Sequence, residues 1–176
     1  MSVFLLDWRF QAWGIKTREF VQIHQLLSAK TVVIGLPADD KDSVIAEMVN
    51  MLAGHPAVVN LELVREAVME RESEMSTGVG KGLGLPHAKT TGVSSTIAAL
   101  AITDGDVDFD AVDGEPVRIL FLLVGPPDSK SQHVRILSRF SRLMNRDEVR
   151  DRFKTMESTE TLLELLEQSE TQMMSS

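Results

Sequence analysis

The 176-residue sequence contains no cysteine, which excludes disulfide bonds, thiolate metal ligands and cysteine nucleophiles. No apolar run approaches the roughly 18 residues that a membrane-spanning helix needs. The opening stretch, residues 1–7, has no basic leader and only a short apolar run, so it does not fit a secretory signal. These absences predict a cytoplasmic protein without direct membrane insertion.

A concentrated basic segment is also missing. The 18 Lys and Arg residues are outnumbered by 26 Asp and Glu, which gives a net charge of −8. Because nucleic acids repel such a chain, we do not expect a nucleic-acid partner. Some arginines do recur at helical spacing, and we interpret them as the solvated face of a helix, with a docking surface for an acidic protein as the alternative. They are Arg135, Arg139, Arg142, Arg146 and Arg150.

Strand-like and helix-like segments alternate along most of the chain, which predicts an α/β domain. The apolar segment 117–124 is nearly continuous, as expected of a central strand covered on both faces. Ser129 followed by Gln132 resembles a capping box at the start of a helix. The predicted strands are 32–36, 96–102 and 117–124; the predicted helices follow Asp39 or Asp40, follow Asn60, and cover 129–144, 147–156 and 159–168.

The two ends of the chain differ from this pattern. Residues 1–20 hold both tryptophans and show no clear period, so we interpret them as an extension that docks on the domain or on a neighbour. Residues 21–170 form the predicted domain. Residues 171–176 are predicted to be a frayed tail.

Only four histidines are present, and two of them lie in informative surroundings. His87 ends a glycine-rich segment, 76–87, which we predict to be a loop, and Pro86 stiffens the approach to it. His133 lies in the first turn of a predicted helix on its apolar face, where an ordinary core role is the alternative. The positive end of the helix favours a neutral imidazole beside an anion. We interpret His24 and His55 as solvated.

Three patterns resemble ligand sites but lack a required residue. The glycines at 78, 80 and 82 match neither nucleotide-binding motif, because Leu83 stands where a further glycine belongs. The acidic segment 104–115 resembles a calcium loop, but Phe109 occupies the position that needs glycine. Its alternating apolar residues favour a half-buried edge strand or hairpin. Two histidines without cysteine make a poor zinc site. We therefore do not expect any of these three patterns to form a ligand site.

The segment 71–89 runs from Arg71-Glu72 through the glycines to Pro86-His87. It resembles the phosphorylation-site segment of the fructose/mannitol/nitrogen-regulatory class of enzyme IIA domains from the bacterial sugar phosphotransferase system. The resemblance continues through 106–117, Gly125-Pro126 and Gln132-His133, and covers about residues 23–168. Gly84 stands where that family more often has alanine, and we expect no loss of function from it.

This resemblance implies that His87 is the phosphorylated residue, His133 the second active-site histidine and Arg71 the arginine that faces the phosphate. An ordinary alternative for Arg71 is to cap the last carbonyls of its helix. The resemblance also implies a central mixed sheet of about five strands with helices on both faces, and no cofactor. Backbone N–H groups of the glycine-rich turn are expected to add an anion-binding nest.

The resemblance further implies that phosphoenolpyruvate is the ultimate donor, through enzyme I and the carrier HPr. Two roles stay open at this point. The chain is either a nitrogen-regulatory-type IIA that acts on a regulatory target, or a sugar-specific, fructose-type IIA that donates to an enzyme IIB. No IIB or membrane domain is fused in this sequence, which favours the regulatory hypothesis. The oligomeric state is left open.

Overall fold

The computed structural model describes residues 21–175, so the predicted extension at residues 1–20 lies outside the described residues. The described part contains six strands and five α-helices, after a short 3₁₀ helix at Ile23–Leu26. One strand and two helices are followed by five consecutive strands and then by three helices. The strands are β1 Val32–Leu36, β2 Gly78–Gly80, β3 Leu83–Gly84, β4 His87–Lys89, β5 Ile97–Val107 and β6 Val117–Gly125. The helices are α1 Lys41–Asn50, α2 Leu61–Glu74, α3 Lys130–Met144, α4 Asp147–Lys154 and α5 Thr159–Met174.

The strands form one mixed sheet in the order β1-β5-β6-β3-β2. β5 and β6 form a long antiparallel hairpin, and β1 lies parallel to β5. On its other edge, β6 pairs in parallel with β3 and then with β4, so these two short strands continue one another along β6. The predicted α/β class and mixed sheet are confirmed. The segment 76–87, predicted to be a loop, instead contributes β2, β3 and the start of β4.

Side chains of β6 point alternately into two apolar cores, one on each face of the sheet. Those facing α3, α4 and α5 are Ile119, Phe121 and Leu123, and those facing α1 and α2 are Leu120, Leu122 and Val124. Phe121 stacks on Phe140 of α3 with ring centroids 4.3 Å apart. Each fully buried side chain of this size stabilises the fold by about 1.5–3 kcal/mol. Helices therefore cover both faces, as predicted.

The N-terminus of α3 corrects one sequence expectation. Ser129 is the N-cap residue, but its side chain makes no capping bond to the helix. Its hydroxyl instead donates to the backbone oxygen of Pro126 at 2.6 Å. Gln132 accepts a hydrogen bond from the Thr96 hydroxyl at 2.6 Å. The capping box is therefore wrong, because both side chains have partners outside the helix.

The C-terminal helix and His24 also differ from expectation. α5 continues to Met174, so residues 171–174 are helical and not a frayed tail. His24 is not solvated, because its Nδ1 lies 2.8 Å from the carboxylate of Glu170 and its side chain is 18% exposed. The same carboxylate accepts backbone hydrogen bonds from Ile23 and His24. This buried carboxylate ties the 3₁₀ helix to α5.

The row of arginines does not form one helical face. α3 ends at Met144 and α4 begins at Asp147, so Arg150 belongs to a different helix. Arg150 donates to the backbone oxygen of Met144 at 2.8 Å and pairs with Asp147 at 2.7 Å. Arg139 donates to the backbone oxygen of Val21 at 3.0 Å. These two arginines therefore hold chain segments together.

The acidic segment 104–115 forms the end of β5 and most of the turn that leads to β6, so the predicted hairpin is confirmed. Val107 pairs with Val117, and Phe109 is fully buried. Within residues 21–175, no group of three or more His, Asp or Glu side chains could hold a metal ion. No helix in the same range is long and apolar enough to cross a bilayer.

Candidate active site

His87 lies at the start of β4, where the chain joins the edge of the central strand β6. Its Cα is paired with that of Leu123 in parallel register. The backbone oxygen of Pro86 accepts a hydrogen bond from the Leu123 N–H at 3.0 Å. Proline fixes its own φ, so the peptide before the histidine has little freedom. The backbone that carries the half-buried side chain of His87 is therefore held in place on both sides of Pro86.

One hydrogen bond determines which nitrogen of His87 can react. Its Nδ1 lies 2.8 Å from the backbone oxygen of Leu85. A carbonyl oxygen only accepts hydrogen bonds, so Nδ1 carries the proton and Nε2 keeps its lone pair. Burial lowers the pKa of His87; the bond to Leu85 opposes this, and the charge of Arg71 lowers the pKa further. At neutral pH the residue is therefore a neutral imidazole whose free lone pair lies on Nε2.

His133 lies in the first turn of α3 and is 4% exposed. Burial lowers its pKa to about 4, and the charges of His87 and Lys89 add to the effect. Its buried Nε2 has no hydrogen-bond partner within residues 21–175. Such an unpaired nitrogen costs free energy unless a ligand meets it. A neutral His133 with its proton on Nε2 can donate that hydrogen bond to a phosphoryl oxygen.

Gly125 makes room for this histidine at the end of β6. A side-chain carbon at this position would collide with Nε2 of His133 and would lie 2.5 Å from the Ser129 hydroxyl and 2.9 Å from that of Thr96. The same glycine pairs with Lys89, two residues beyond His87 on β4. β6 therefore carries the contacts that bring the two histidines to the same end of the sheet.

Arg71 lies in the last turn of α2, where its Nη1 donates to the backbone oxygen of Met75 at 2.9 Å. Met75 is the C-cap residue of α2, so the capping alternative is real. The positive charge of Arg71 also lowers the pKa of His87, after burial. Arg71 is thus within electrostatic range of His87, and its contact with a phosphoryl group stays a prediction.

Two charged residues near His87 were missed by sequence reasoning. Lys89 is exposed, and its charge lowers the pKa of both histidines, after burial in each case. It could have been found, because residues two apart on a strand share a face. Glu72 follows Arg71 directly and is 4% exposed. A glutamate is seldom this buried, and no sequence pattern predicted its burial.

The glycine-rich turn does not form the expected anion nest at its tip. Lys81 has a φ of 56°, between Gly80 at 94° and Gly82 at 75°. Its backbone N–H donates to the carboxylate of Asp113 at 2.8 Å. This donor is therefore already occupied by a carboxylate of the chain, and the nest expectation is wrong for that amide.

The two histidine pKa values predict how the stability of the protein depends on pH. Both are lowered from 6.5, so the unfolded chain binds protons that the folded chain does not. The stabilisation is complete above pH 6.5 and is lost as the pH falls through the folded values. From its pKa of about 4, His133 alone should remove about 2 kcal/mol from the free energy of unfolding between pH 7 and 4.5.

Urea unfolding at the two pH values checks this, with His133→Gln as the comparison. The variant should lose about 2 kcal/mol less than the wild type over the same pH interval. NMR titration should place the midpoint of His133 near 4 and that of His87 below 6.5. A His133 midpoint near 6.5 would show that the ring is solvated.

Known proteins resemble this chain in sequence and in fold. The family model described as "Phosphoenolpyruvate-dependent sugar phosphotransferase system, EIIA 2" matches residues 25–169. The "Nitrogen regulatory protein" of Pseudomonas aeruginosa is 30% identical over 146 residues, which cover 83% of this chain and 95% of that protein. The "PTS system fructose-specific EIIA component" of Haloferax volcanii is 35% identical over 130 residues, covering 74% and 84%.

A longer relative and two solved structures complete the comparison. The "PTS system fructose-specific EIIABC component" of Bacillus subtilis is 31% identical over 84% of this chain, which spans only 23% of that protein. The crystal structure of IIA-Ntr from Neisseria meningitidis superposes with a TM-score of 0.76 at 28% identity, covering 82% and 98%. Mannitol IIA of Escherichia coli, solved with phosphorylated IIB, shares the fold with a TM-score of 0.68 at 20% identity, covering 80% and 96%.

Proposed function

This chain belongs to the EIIA 2 family of the phosphoenolpyruvate-dependent sugar phosphotransferase system, and on that premise we propose that it carries a phosphoryl group on Nε2 of His87. One observation supports this assignment above the others. The Nδ1 of His87 is held 2.8 Å from the backbone oxygen of Leu85, which leaves Nε2 unprotonated. Acceptance of a phosphoryl group needs that lone pair.

The transfer step follows from this tautomer. The Nε2 lone pair of His87 attacks the phosphorus of a donor phosphohistidine, in line with the donor's N–P bond. The new bond forms as the old one breaks, and the electron pair of the old bond returns to the donor nitrogen. His87 keeps its proton on Nδ1 throughout, so no general base is required. Positioning and charge stabilisation then supply most of the catalysis.

The residues around His87 are suited to the charge of the transferred group. The phosphoryl group carries close to two negative charges. Arg71 can meet two of its oxygens with its planar guanidinium group. The unpaired Nε2 of His133 can donate one hydrogen bond without adding a positive charge. Lys89, exposed beside the site, adds long-range attraction.

The donor in this proposal is a phosphorylated HPr-type carrier in the cytoplasm, and the role is that of a nitrogen-regulatory-type IIA. The likeness to the Pseudomonas aeruginosa nitrogen regulatory protein extends over 95% of that protein and supports this role. Phosphorylation of His87 would then change the charge of the surface that meets a regulatory target.

The second candidate is a fructose-type IIA that donates to an enzyme IIB. The 35% identity to the Haloferax volcanii fructose-specific component supports it. A purified fructose-type IIB distinguishes the two roles. Loss of the phosphoryl group from this chain within seconds of mixing supports the sugar role, whereas retention over minutes supports the regulatory one.

Incubation of the protein with phosphoenolpyruvate, enzyme I and HPr tests the phosphocarrier function. Intact-mass measurement should show one phosphoryl group per chain, which mild acid removes and base does not, as for phosphoramidates. Omission of HPr is the control and should leave the chain unmodified. No mass increase with an active enzyme I and HPr would contradict the proposal.

Replacement of Arg71 separates its two roles. Arg71→Lys keeps the charge but loses the planar fork, so phosphoryl uptake should slow by roughly 3- to 10-fold, equivalent to about 0.7–1.4 kcal/mol. Thermal stability should change little in this variant. Arg71→Ala should slow uptake further. A fall in melting temperature with unchanged uptake in both variants would reduce Arg71 to a helix cap for Met75.

A further inference from the structure

A largely buried ion pair between Glu72 of α2 and Lys41 of α1 lies next to the glycine-rich segment, and neither residue takes part directly in the transfer step described above. Glu72 is 4% exposed, and its carboxylate lies 3.4 Å from the Nζ of Lys41. Lys41 also lies 3.1 Å from Asp110 and 5.6 Å from the ring centroid of Phe109. Burial of such a pair brings little net stability, because desolvation offsets the attraction. Its geometry is therefore of more interest than its stabilising effect.

The carboxylate of Glu72 fixes Thr77 at the entrance to the glycine-rich segment. Its two oxygens lie 3.1 Å and 3.3 Å from the backbone nitrogen of Thr77, which donates to them. The hydroxyl of Thr77 donates to the same carboxylate. Thr77 is itself buried, at 4% exposure. Because the N–H and the hydroxyl of Thr77 both donate to this carboxylate, Glu72 fixes the backbone and the side chain of Thr77.

From Thr77 the hydrogen bonds continue to the reacting imidazole. The backbone oxygen of Thr77 accepts from the N–H of Leu85 at 3.0 Å. The backbone oxygen of Leu85 accepts from Nδ1 of His87 at 2.8 Å. Leu85 is 5% exposed, so water has little access to either bond. Three successive contacts, Glu72 with Thr77, Thr77 with Leu85 and Leu85 with His87, thus connect the buried carboxylate to the ring of His87. The hydrogen bonds are joined to one another through the covalent backbone of Thr77 and Leu85.

We infer that Glu72 and Thr77 are positioning residues: they hold the backbone of Leu85 so that its carbonyl keeps His87 in the Nδ1–H tautomer, with Nε2 free to react. Lys41 pairs with the carboxylate of Glu72 and holds it in place. The inference deepens the proposed function, on which its catalytic meaning rests. The tautomer itself is a property of the unphosphorylated protein and can be measured without any partner protein.

Two substitutions weaken the series at different points. Thr77→Val removes the hydroxyl and keeps the shape and the backbone N–H. Glu72→Gln keeps the shape and removes the charge that receives both bonds. ¹⁵N NMR of histidine-labelled protein at neutral pH should show mainly Nδ1–H for His87 in the wild type and a mixture of tautomers in both variants. Phosphoryl uptake from phosphorylated HPr should slow by roughly tenfold, equivalent to about 1.4 kcal/mol.

Ser76→Ala is the matched control in the same turn. The Ser76 hydroxyl donates to the backbone oxygen of Phe109 at 2.5 Å and accepts from the N–H of Gly78 at 3.1 Å. It has no place in the series leading to Leu85, so its loss should leave the tautomer and the uptake rate unchanged. Thr77→Ser keeps a hydroxyl, so it should show the wild-type tautomer and the wild-type uptake rate that Thr77→Val loses. If Glu72→Gln fails to fold, the two Thr77 variants provide the test, with thermal melting as the check on folding.

The outcomes separate this inference from the proposed function. A wild-type tautomer ratio and uptake rate in folded Thr77→Val and Glu72→Gln would overturn the positioning role and leave the phosphocarrier function intact. The positioning role is also overturned if Ser76→Ala perturbs the tautomer as strongly as Thr77→Val. If the tautomer shifts in Thr77→Val and Glu72→Gln but phosphorylated HPr does not phosphorylate the wild type, the positioning role is supported and the phosphocarrier function is contradicted.

Discussion

His87→Ala is expected to take up no phosphoryl group from phosphorylated HPr, with a rate at least roughly 1,000-fold below that of the wild type. The substitution removes Nε2, the ring nitrogen that the hydrogen bond between Nδ1 and Leu85 leaves unprotonated. His133 does not replace it, because it is 4% exposed and its ring lies against Gly125. Intact-mass measurement after incubation with phosphoenolpyruvate, enzyme I and HPr gives the result directly.

His55→Ala is the control for this experiment. His55 is partly exposed in the turn after α1, where its Nδ1 accepts a hydrogen bond from the N–H of Ala57 at 3.1 Å. Its removal should leave uptake at one phosphoryl group per chain. If His87→Ala still gains one phosphoryl group, the acceptor is another residue. Fragment mass analysis would then identify that residue, and His133 would be the first to check.

The parts of the fold that the sequence predicted well are those where local pattern and burial agree. The apolar run in β6 predicted a strand covered on both faces, and its alternate side chains do reach two cores. The acidic β5–β6 turn was also predicted, because Phe109 was the wrong residue for a calcium loop and the right one for a buried strand end. In both cases neighbouring residues carry the information.

Features that depend on distant partners were not predictable in this way. Gln132 bonds to Thr96, 36 residues away, and not to its own helix terminus. His24 pairs with Glu170, 146 residues away. β3 and β4 comprise two and three residues and exist because β6 offers an open edge. Glycine-rich sequence alone favours a loop for such segments.

The candidate site shows the same division. His87, His133 and Arg71 were predicted as site residues from their surroundings and from the resemblance to enzyme IIA domains. Glu72 was not predicted, because the positioning role that we infer for it depends on hydrogen bonds with Thr77 and from Leu85 to Thr77. Backbone hydrogen bonds do not depend on residue type, so the sequence does not reveal them. A carboxylate directly after a predicted phosphate-facing arginine is nevertheless a feature that can be sought in other sequences.

His133→Ala should leave the protein able to accept a phosphoryl group on His87 but slow its transfer to an acceptor by roughly 10- to 1,000-fold, equivalent to about 1.4–4 kcal/mol. The variant loses Nε2 of His133, a buried donor that has no hydrogen-bond partner within residues 21–175. In the proposed reaction this donor would bind a phosphoryl oxygen as negative charge redistributes in the transition state. Single-turnover transfer from the purified phosphoprotein to a fructose-type IIB, or back to HPr, measures the rate.

The comparison with His133→Gln decides whether the hydrogen bond or the filled volume matters. Glutamine keeps a neutral N–H donor near the same place, so it should recover part of the transfer rate, whereas alanine leaves a gap beside Gly125. If the ring only fills space, both variants should melt at lower temperature and still transfer at the wild-type rate. That result would show that His133 only packs in the core, because replacing a residue that contributes only packing lowers the stability without slowing phosphoryl transfer.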